Sequence, residues 1–534
     1  VCKGFDDMKR LIALCSTLCL GLLIILTSCN KKNNLPSIEG SLDIKIFKTD
    51  LSVTAKFTDS EEHDLYNDNV KAYVTVSSTG EEAKEISRKD VTITKPATAE
   101  TSLSGNKLDF SNLTSDTLYS VKLIISSKGN QKTLATKEVT TLSTGESEDD
   151  PILVDSLEML VGMNKTKDAY YKLTTDIDCG GSISSIFNSS SSFAGNFDGD
   201  GHKIYNLKFD SNQYTGLFGH MVGATVKNLT IENPTYSASR GNTYLGALAG
   251  YAKHCIISNV TVVNPDFSHS GQSTTYGYIG GLVGQAENST IENCAVLDLK
   301  LDIKDARLKM YVGGFVGENK NSKITDCYVT GDVSANIAYT SNENGCLFLG
   351  GFSGVNDSTL GILNCYAKVN VKVTEPTSVS NEGRKTFRLC VGGFNGGNIH
   401  YASRFDNCAS IGDLDIAVMY AWFAYVGGFA GFTDNQNISL YDNCVYVPGE
   451  KGIVASFAKL ADNAAEDEKI DQKAYISLAI GIIGTKNTDT IHAFAYSEKI
   501  EITNEHENLT HTPYRISQDL TTFSQTIRDV ILKP

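Results

Sequence analysis

The chain has 534 residues, a formal net charge of −15, and 46 glycines against 9 prolines. That length exceeds one compact domain, and the acidic balance, with no basic block to offset it, argues against nucleic-acid binding, which needs a basic face. The many Gly, Ser, Thr, Asn and Tyr residues suit all-β structure rich in turns.

The N-terminus reads as a targeting segment. Met8-Lys9-Arg10 is a short positive region and the expected start of translation. An apolar run from Leu11 follows and ends Leu26-Thr27-Ser28-Cys29. A positive start, an apolar stretch and small residues at its end describe a secretory signal. The run is short for a transmembrane anchor. The segment resembles the lipobox of bacterial lipoproteins, where the signal is cut just before the cysteine. The resemblance implies that residues 1–29 are signal peptide plus lipidation site, and that Cys29 carries the lipid that holds the chain on the outer membrane. Residues 30–40 are polar, with Lys31, Lys32 and Pro36, and read as a tether.

Residues 41–144 show period-two alternation in seven short runs, among them Leu51-Ser-Val-Thr-Ala-Lys-Phe57 and Tyr119-Ser-Val-Lys-Leu-Ile-Ile125. This pattern predicts a β-sandwich. The stretch from Leu113 to Tyr119 resembles the tyrosine corner of fibronectin type III domains. The resemblance implies that the Tyr119 hydroxyl bonds back to nearby backbone; an unspecified Ig-like sandwich is the alternative, and in both cases the domain is a spacer. Residues 145–151 form an acidic linker. Leu157, Met159, Leu160 and Met163 then predict a short helix with Asp155 or Ser156 as N-cap, suited to cover the first rung of a solenoid.

From residue 152 to 500 one block recurs, written most fully as Tyr311-Val-Gly-Gly-Phe-Val-Gly followed by Lys323-Ile-Thr-Asp-Cys-Tyr-Val. Its closing glycines are Gly219, Gly250, Gly284, Gly317, Gly354, Gly396, Gly431 and Gly484, spaced 31, 34, 33, 37, 42, 35 and 53 residues apart. A fixed motif with variable spacers marks stacked repeats, none of which buries its apolar face alone. Within the block, Cys327 and Val329 share parity, so one strand points both into a core. Ile324 also points inward if the chain turns at Asp326, and Phe315 is a further core candidate. The same corner carries Asn228, Asn259, Asn293, Asn364, Asn407 and Asn443, which are expected to bond the turn or form a side-chain ladder.

Phe193-Ala-Gly-Asn-Phe-Asp-Gly-Asp-Gly-His-Lys-Ile204, then Gly216-Leu-Phe-Gly219, then the repeated glycine blocks resemble the GLUG-motif family of secreted and surface bacterial proteins. Adhesin-like lipoproteins of gut Bacteroidetes and non-catalytic parts of some IgA peptidases belong to it. The resemblance implies a right-handed parallel β-helix. The expected fold is therefore all-β: an N-terminal β-sandwich followed by a parallel β-helix with short helical caps, residues 501–534 forming the C-terminal one.

Nine of the 13 cysteines follow Cys29. Five of them, Cys294, Cys327, Cys365, Cys408 and Cys444, hold one place in successive repeats and predict an inward ladder of free thiols; disulfides between rungs are the alternative. No C-x-x-C or Cys/His cluster occurs among the nine, so no metal and no cofactor is expected. His506-Glu507-Asn508-Leu509-Thr510-His511 misses the zinc-protease helix, which needs its second His at i+4. Asp198-Gly-Asp-Gly-His202 reads as turns rather than a calcium loop.

The spacers 233–243, 264–275, 336–344, 374–385 and 415–425 differ most between repeats. Loops on a rigid scaffold are the usual place for binding. Their aromatics and those beside them, Tyr236, Tyr276, Tyr278, Tyr339, Tyr420, Trp422 and Tyr425, are the candidate contacts. The sequence supports a non-enzymatic adhesion or recognition protein for a glycan or surface protein, facing outward from the cell. A polysaccharide-degrading β-helix enzyme and a periplasmic scaffold are the alternatives. The resemblance to lipoproteins of gut Bacteroidetes implies acidic residues after the lipidated Cys in surface-exported members, and Asn30-Lys31-Lys32 is basic instead, which on that resemblance favours the periplasm. Aligned carboxylates would favour the enzyme, and an aromatic, charge-poor strip would favour glycan binding.

Overall fold

The computed structural model describes residues 38–46, 50–59, 70–79, 83–92, 102–114, 117–141, 145–210, 212–239, 243–270, 276–306, 309–338, 345–375, 387–399, 402–418, 423–433, 439–457, 473–477, 480–482, 491–504, 509–511 and 517–532. Contacts divide the chain into two units, 1–142 and 143–534.

The first unit is a sandwich. Strands Ile38–Ile46, Leu51–Asp59 and Ser102–Phe110 make one antiparallel sheet, and Glu85–Val91, Val70–Ser78, Leu118–Ser127 and Asn130–Thr140 make the other. Alternate residues face inward: Val53, Ala55 and Phe57 from one sheet meet Val74, Val76, Val121, Leu123 and Ile125 from the other, each at most 1% exposed. The Tyr119 hydroxyl accepts a hydrogen bond from the Thr114 N–H at 2.8 Å. One boundary shifts. The first strand begins at Ile38, inside the stretch read as tether, because Ile38 is buried and pairs with Asp59.

The second unit is a parallel β-helix. Each rung visits three sheets, as the full repeat shows. Lys309–Gly313 lies in a first sheet of nine parallel strands and Val316–Lys320 in a second of eight. Lys323–Thr325 and Tyr328–Ile337 lie in a third, of nineteen strands, which bends at corners. The turn between the first two sheets needs glycine. A Cβ on Gly313 would sit 2.6 Å from the Phe352 carbonyl oxygen of the next rung, and one on Gly317 2.5 Å from that of Gly284 in the rung before. Inside, Phe315, Phe352, Phe394 and Phe429 stack with centroids 4.6–4.8 Å apart and planes within 14°. That is the spacing of parallel strands.

The corners are made by left-handed residues. Asn228, Asn259, Asn293, Asp326, Asn364, Asn407 and Asn443 all have φ between 47° and 55°. Asn and Asp tolerate this conformation better than other non-glycine residues. Two further corners escape the sequence reading. One carries His254, Asn288 and Asn321, the other Asn233, Asn264 and Asp298, all at positive φ. Side chains ladder between rungs: Asn259 donates to Asn228 at 3.1 Å, Asn264 to Asn233 at 3.1 Å and Asn321 to Asn288 at 2.7 Å.

At the N-terminal end, helix Leu157–Gly162 is capped by Ser156, whose hydroxyl accepts from the Met159 N–H, and it buries Leu160. The C-terminal segment does not cap the other end as expected. Ile500–Asn504 and Leu509–His511 still belong to the coil. Helix Gln525–Leu532 lies instead along the outside of the third sheet, where Leu520, Phe523, Ile527 and Ile531 cover Ala409 and Val445 beside Tyr366 and Tyr496. The cause is amphipathicity: an apolar stripe at helical spacing meets outward apolar residues from several rungs.

Candidate functional site

The five repeat cysteines lie in the core. All are free and at most 1% exposed. Each thiol donates to the carbonyl two residues earlier, across the left-handed corner: Cys294 to Glu292 at 3.2 Å, Cys327 to Thr325 at 3.1 Å, Cys365 to Leu363 at 3.1 Å. Cys408 and Cys444 do the same at 3.3 and 3.4 Å. Neighbouring rungs connect through the Cys294 N–H to the Cys327 sulfur at 3.4 Å and the Cys327 N–H to the Cys365 sulfur at 3.3 Å. At the preceding corner Ser289 plays the same part, its hydroxyl bonding the Glu287 carbonyl at 3.0 Å, and Cys255 bonds that of Lys253 at 3.2 Å. Burial raises the Cys294, Cys327, Cys408 and Cys444 thiols well above the usual range, so they stay protonated and unreactive.

The aromatic candidates divide. Tyr236 is not a contact residue: it is 1% exposed, points into the core and stacks on buried His269. Residues 235–239 and 266–270, read as loop, are strands of the third sheet. Tyr276 is 44% exposed. Tyr278 is half-buried and Tyr425 buried. Tyr339, Tyr420 and Trp422 lie outside the described residues, as does Cys29. The strands that flank successive spacers do stack on one another, Ser239 on Ser270 before the spacers and Lys309 on Cys346 after them. The described ends beside these spacers therefore stand in register from rung to rung.

Tyr278 and Tyr425 belong to a larger row. On the first sheet one outward position recurs in eight successive rungs, two places before the glycine turn in the first seven: Tyr214, Tyr244, Tyr278, Tyr311, Phe348, Cys390 and Tyr425, then Tyr475, where Ser477 replaces the glycine. Rings stack at 4.8 Å for Tyr214 and Tyr244 and 4.7 Å for Tyr244 and Tyr278. They turn edge-on at 5.3 Å for Tyr278 and Tyr311 and 5.6 Å for Tyr311 and Phe348. The second sheet sets its own row opposite: His220, Tyr251, Gln285, Glu318, Val355, Gly397 and Phe432. The tight glycine turn brings the two rows into contact, as between Tyr214 and His220 at 4.6 Å and Tyr425 and Phe432 at 5.1 Å. The two rows line the angle between the first and second sheets, called the groove below, and its middle, Tyr311, Phe348, Val355, Cys390 and Tyr425, packs as a buried cluster. Tyr214, Tyr244, Tyr251 and Tyr278 are half-buried, whereas Tyr311, Phe348 and Cys390 are at most 2% exposed. Burial pushes the Tyr244 phenol up to about 12, so it remains a neutral donor and acceptor. The sequence carries this signal in its Tyr-x-Gly spacing.

Charges in the groove are largely neutralised. Glu287 meets Lys253 at 3.0 Å, Lys320 at 3.2 Å and the Tyr251 hydroxyl at 2.9 Å. Glu318 is 5% exposed and accepts from the Gln285 carboxamide. Burial raises its carboxyl to about 7, with Asp357 adding to the shift and Gln285, Lys320 and Lys309 opposing it. The Asp357 carboxylate accepts from the Ile399 N–H at 2.9 Å. The Tyr311 hydroxyl is buried without a hydrogen-bond partner.

Two sequence motifs resolve as structure. Asp198 accepts from the Asp200 N–H at 2.9 Å and from Asn228 at 3.0 Å, so it serves a turn and the asparagine ladder. His511 ends a strand, Leu509–His511, and not a helix; His506 and Glu507 lie outside the described residues. Among the described residues no group of three His, Cys, Asp or Glu is placed to hold a metal.

Fold and groove together define a repeat-built parallel β-helix. The GLUG motif matches residues 275–300 and 310–334, two consecutive rungs. Halomucin of Haloquadratum walsbyi is 29% identical over 160 residues, which is 26% of this chain and 2% of that one. An IgA1 protease structure aligns at a TM-score of 0.36 and 14% identity, over 85% of this chain and 33% of that one. Pectate lyase PelI from Erwinia chrysanthemi aligns at 0.16 and 11%, over 89% of this chain and all of that one. The coil itself is established by its own strand register.

Proposed function

We propose that the chain is a non-enzymatic recognition protein that holds a glycan, free or on a surface protein, in the groove between the first and second sheets. The row of tyrosines repeating at rung spacing carries this reading. It offers ring edges and phenol hydroxyls to a ligand that itself repeats. The rest of the proposal concerns placement: a lipid on Cys29 holds the protein on the outer membrane, and the sandwich is a fibronectin type III-like spacer that presents the coil at the cell surface. Tyr119 and its bond to Thr114 support the spacer assignment. A glycan array probed with the full chain tests the binding. Recognition of defined glycans, lost in a Tyr244→Ala/Tyr278→Ala variant, is expected; no binding to any glycan sinks the reading. Protease shaving of intact cells tests the orientation, and protection until lysis would place the protein in the periplasm.

One observation favours the enzyme reading. Glu287, Glu318 and Asp357 lie on the second sheet in successive rungs, and a carboxyl raised to about 7 suits a general acid. Glu287 is held by two lysines and Asp357 by a backbone N–H, so neither is a free carboxylate. Release of reducing ends from a bound polysaccharide, abolished by Glu318→Gln, would decide for the enzyme.

A further inference from the structure

Resting on that reading, we propose that the groove takes an uncharged, polyhydroxylated ligand and that Tyr311, Gln285 and Glu318 form the subsite that rejects a carboxylate. The mouth of the groove is Tyr244, Tyr251 and Tyr278, all half-buried. Its inner end is Tyr311, 1% exposed, whose hydroxyl has no partner although it shares its surroundings with Glu318 and Asp357. A buried hydroxyl with nothing to bond is costly, and a ligand hydroxyl would satisfy it. Beside it, the Gln285–Glu318 pair offers a carboxamide and a carboxyl, groups that pair with sugar hydroxyls without requiring charge.

Electrostatics set the selection. Among the described residues, Lys253 and Lys320 at the mouth both serve Glu287. Lys309 lies over the rings of Tyr276 and Tyr311, at 6.0 and 5.1 Å. The groups around Glu318 are Asp357 from the next rung, Lys320 on its own strand, Gln285 from the rung before, and Lys309 with the phenols of Tyr244, Tyr278 and Tyr311 from the first sheet. An anionic ligand would bring a second negative charge against Glu318 and Asp357 in a poorly solvated site, which is unfavourable. Protonation of Glu318 relieves part of that repulsion, so discrimination should weaken in acid.

The test uses the full chain in detergent on an array of neutral oligosaccharides, each paired with a counterpart bearing one added carboxylate, at pH 5.5 and pH 8. Neutral glycans should bind, their charged counterparts at least about tenfold more weakly at pH 8, a difference of about 1.4 kcal/mol, with the gap narrowing at pH 5.5. Glu318→Gln should narrow the gap at both pH values. Tyr311→Phe should weaken binding of the neutral glycan, whereas a merely structural tyrosine would leave it unchanged. If glycans bind but neither variant alters charge selection or affinity, the subsite is wrong and the recognition reading stands. Equal or tighter binding of the charged partners overturns the selection. If no glycan binds, the recognition reading falls and the subsite with it.

Discussion

His269 makes a sharp test of how this coil is packed. It occupies an inward position of the third sheet, between Ala238 and Ile303 of the adjoining rungs. It is 0% exposed, and neither ring nitrogen has a hydrogen-bond partner. Burial pulls its pKa down from 6.5 to about 4. The folded state therefore resists a proton that the unfolded chain accepts. Stability from this site is full above pH 6.5 and falls as pH drops through 4. The whole shift is worth about 3 kcal/mol at 1.36 kcal/mol per unit, and about 2 kcal/mol of it lies between pH 7 and pH 5. Glu318 acts with the opposite sign. Its carboxyl is raised from 4.5 to about 7, so it favours the folded state most below pH 4.5 and loses that contribution as pH rises through 7. The two act in opposite directions in wild type, so a single stability curve does not separate them. The informative quantity is the difference between His269→Ile and wild type at each pH, from urea titration of the full chain, in which Glu318 drops out. The variant should be more stable at pH 7, by about 1–3 kcal/mol for removing two unpaired buried nitrogens. Its advantage should grow by about 2 kcal/mol at pH 5. A difference that stays constant with pH would refute the buried, unprotonated histidine.

Other outcomes follow from the same structure. Glu318→Gln should stabilise the protein more at pH 8 than at pH 5, read from the same titrations; the reverse trend would mean the carboxyl is not held neutral by burial. Cys327→Ser keeps a donor for the Thr325 carbonyl, as Ser289 does at its own corner, so it should cost less than Cys327→Ala, which removes donor and volume for about 1–2 kcal/mol. Native-state thiol labelling should find the five ladder cysteines inert until denaturant is added, and disulfides among them would break the ladder. Phe352→Ala removes the middle of a four-ring stack and should cost about 3–5 kcal/mol; a loss under 1 kcal/mol would show that the ring is not shared between rungs. Cys29→Ser should leave an uncleaved or released protein, seen in detergent-phase partitioning, and behaviour equal to wild type would dismiss the lipid anchor.

The repeat was legible because its inward residues recur at fixed offsets from glycine and from asparagine. Cys327, Val329, Ile324 and Phe315 could be placed inside, and Asp326 at a corner, from parity alone. Tyr236 was misread because the strand around it, Thr235–Ser239, is otherwise small and polar and carries no alternation. The clue was its offset: Tyr236, Phe267 and Leu301 each stand three residues after a left-handed Asn or Asp. The C-terminal helix was recognisable, but its destination was not, since its partners Ala409 and Val445 lie about 100 residues earlier in sequence. The Glu318 subsite could not be foreseen for a related reason. Its neighbours Gln285, Tyr311 and Asp357 come from three different rungs and meet only once the coil is wound.

The corners also set how such a chain can change length. The left-handed Asn228 offers its amide to Asp198 on one side and its oxygen to Asn259 on the other, and the pairs Asn233–Asn264, Asn288–Asn321 and Asn364–Asn407 link neighbouring rungs in the same sense. The thiol and hydroxyl columns behave in the same way. Turns joined in this way present matching connectors above and below. Duplication or deletion of one whole turn should be accepted where both flanking turns carry these connectors, whereas a cut within a turn leaves connectors facing the wrong partners. Copy number becomes a freely adjustable quantity, and the reach of the groove is counted in whole turns.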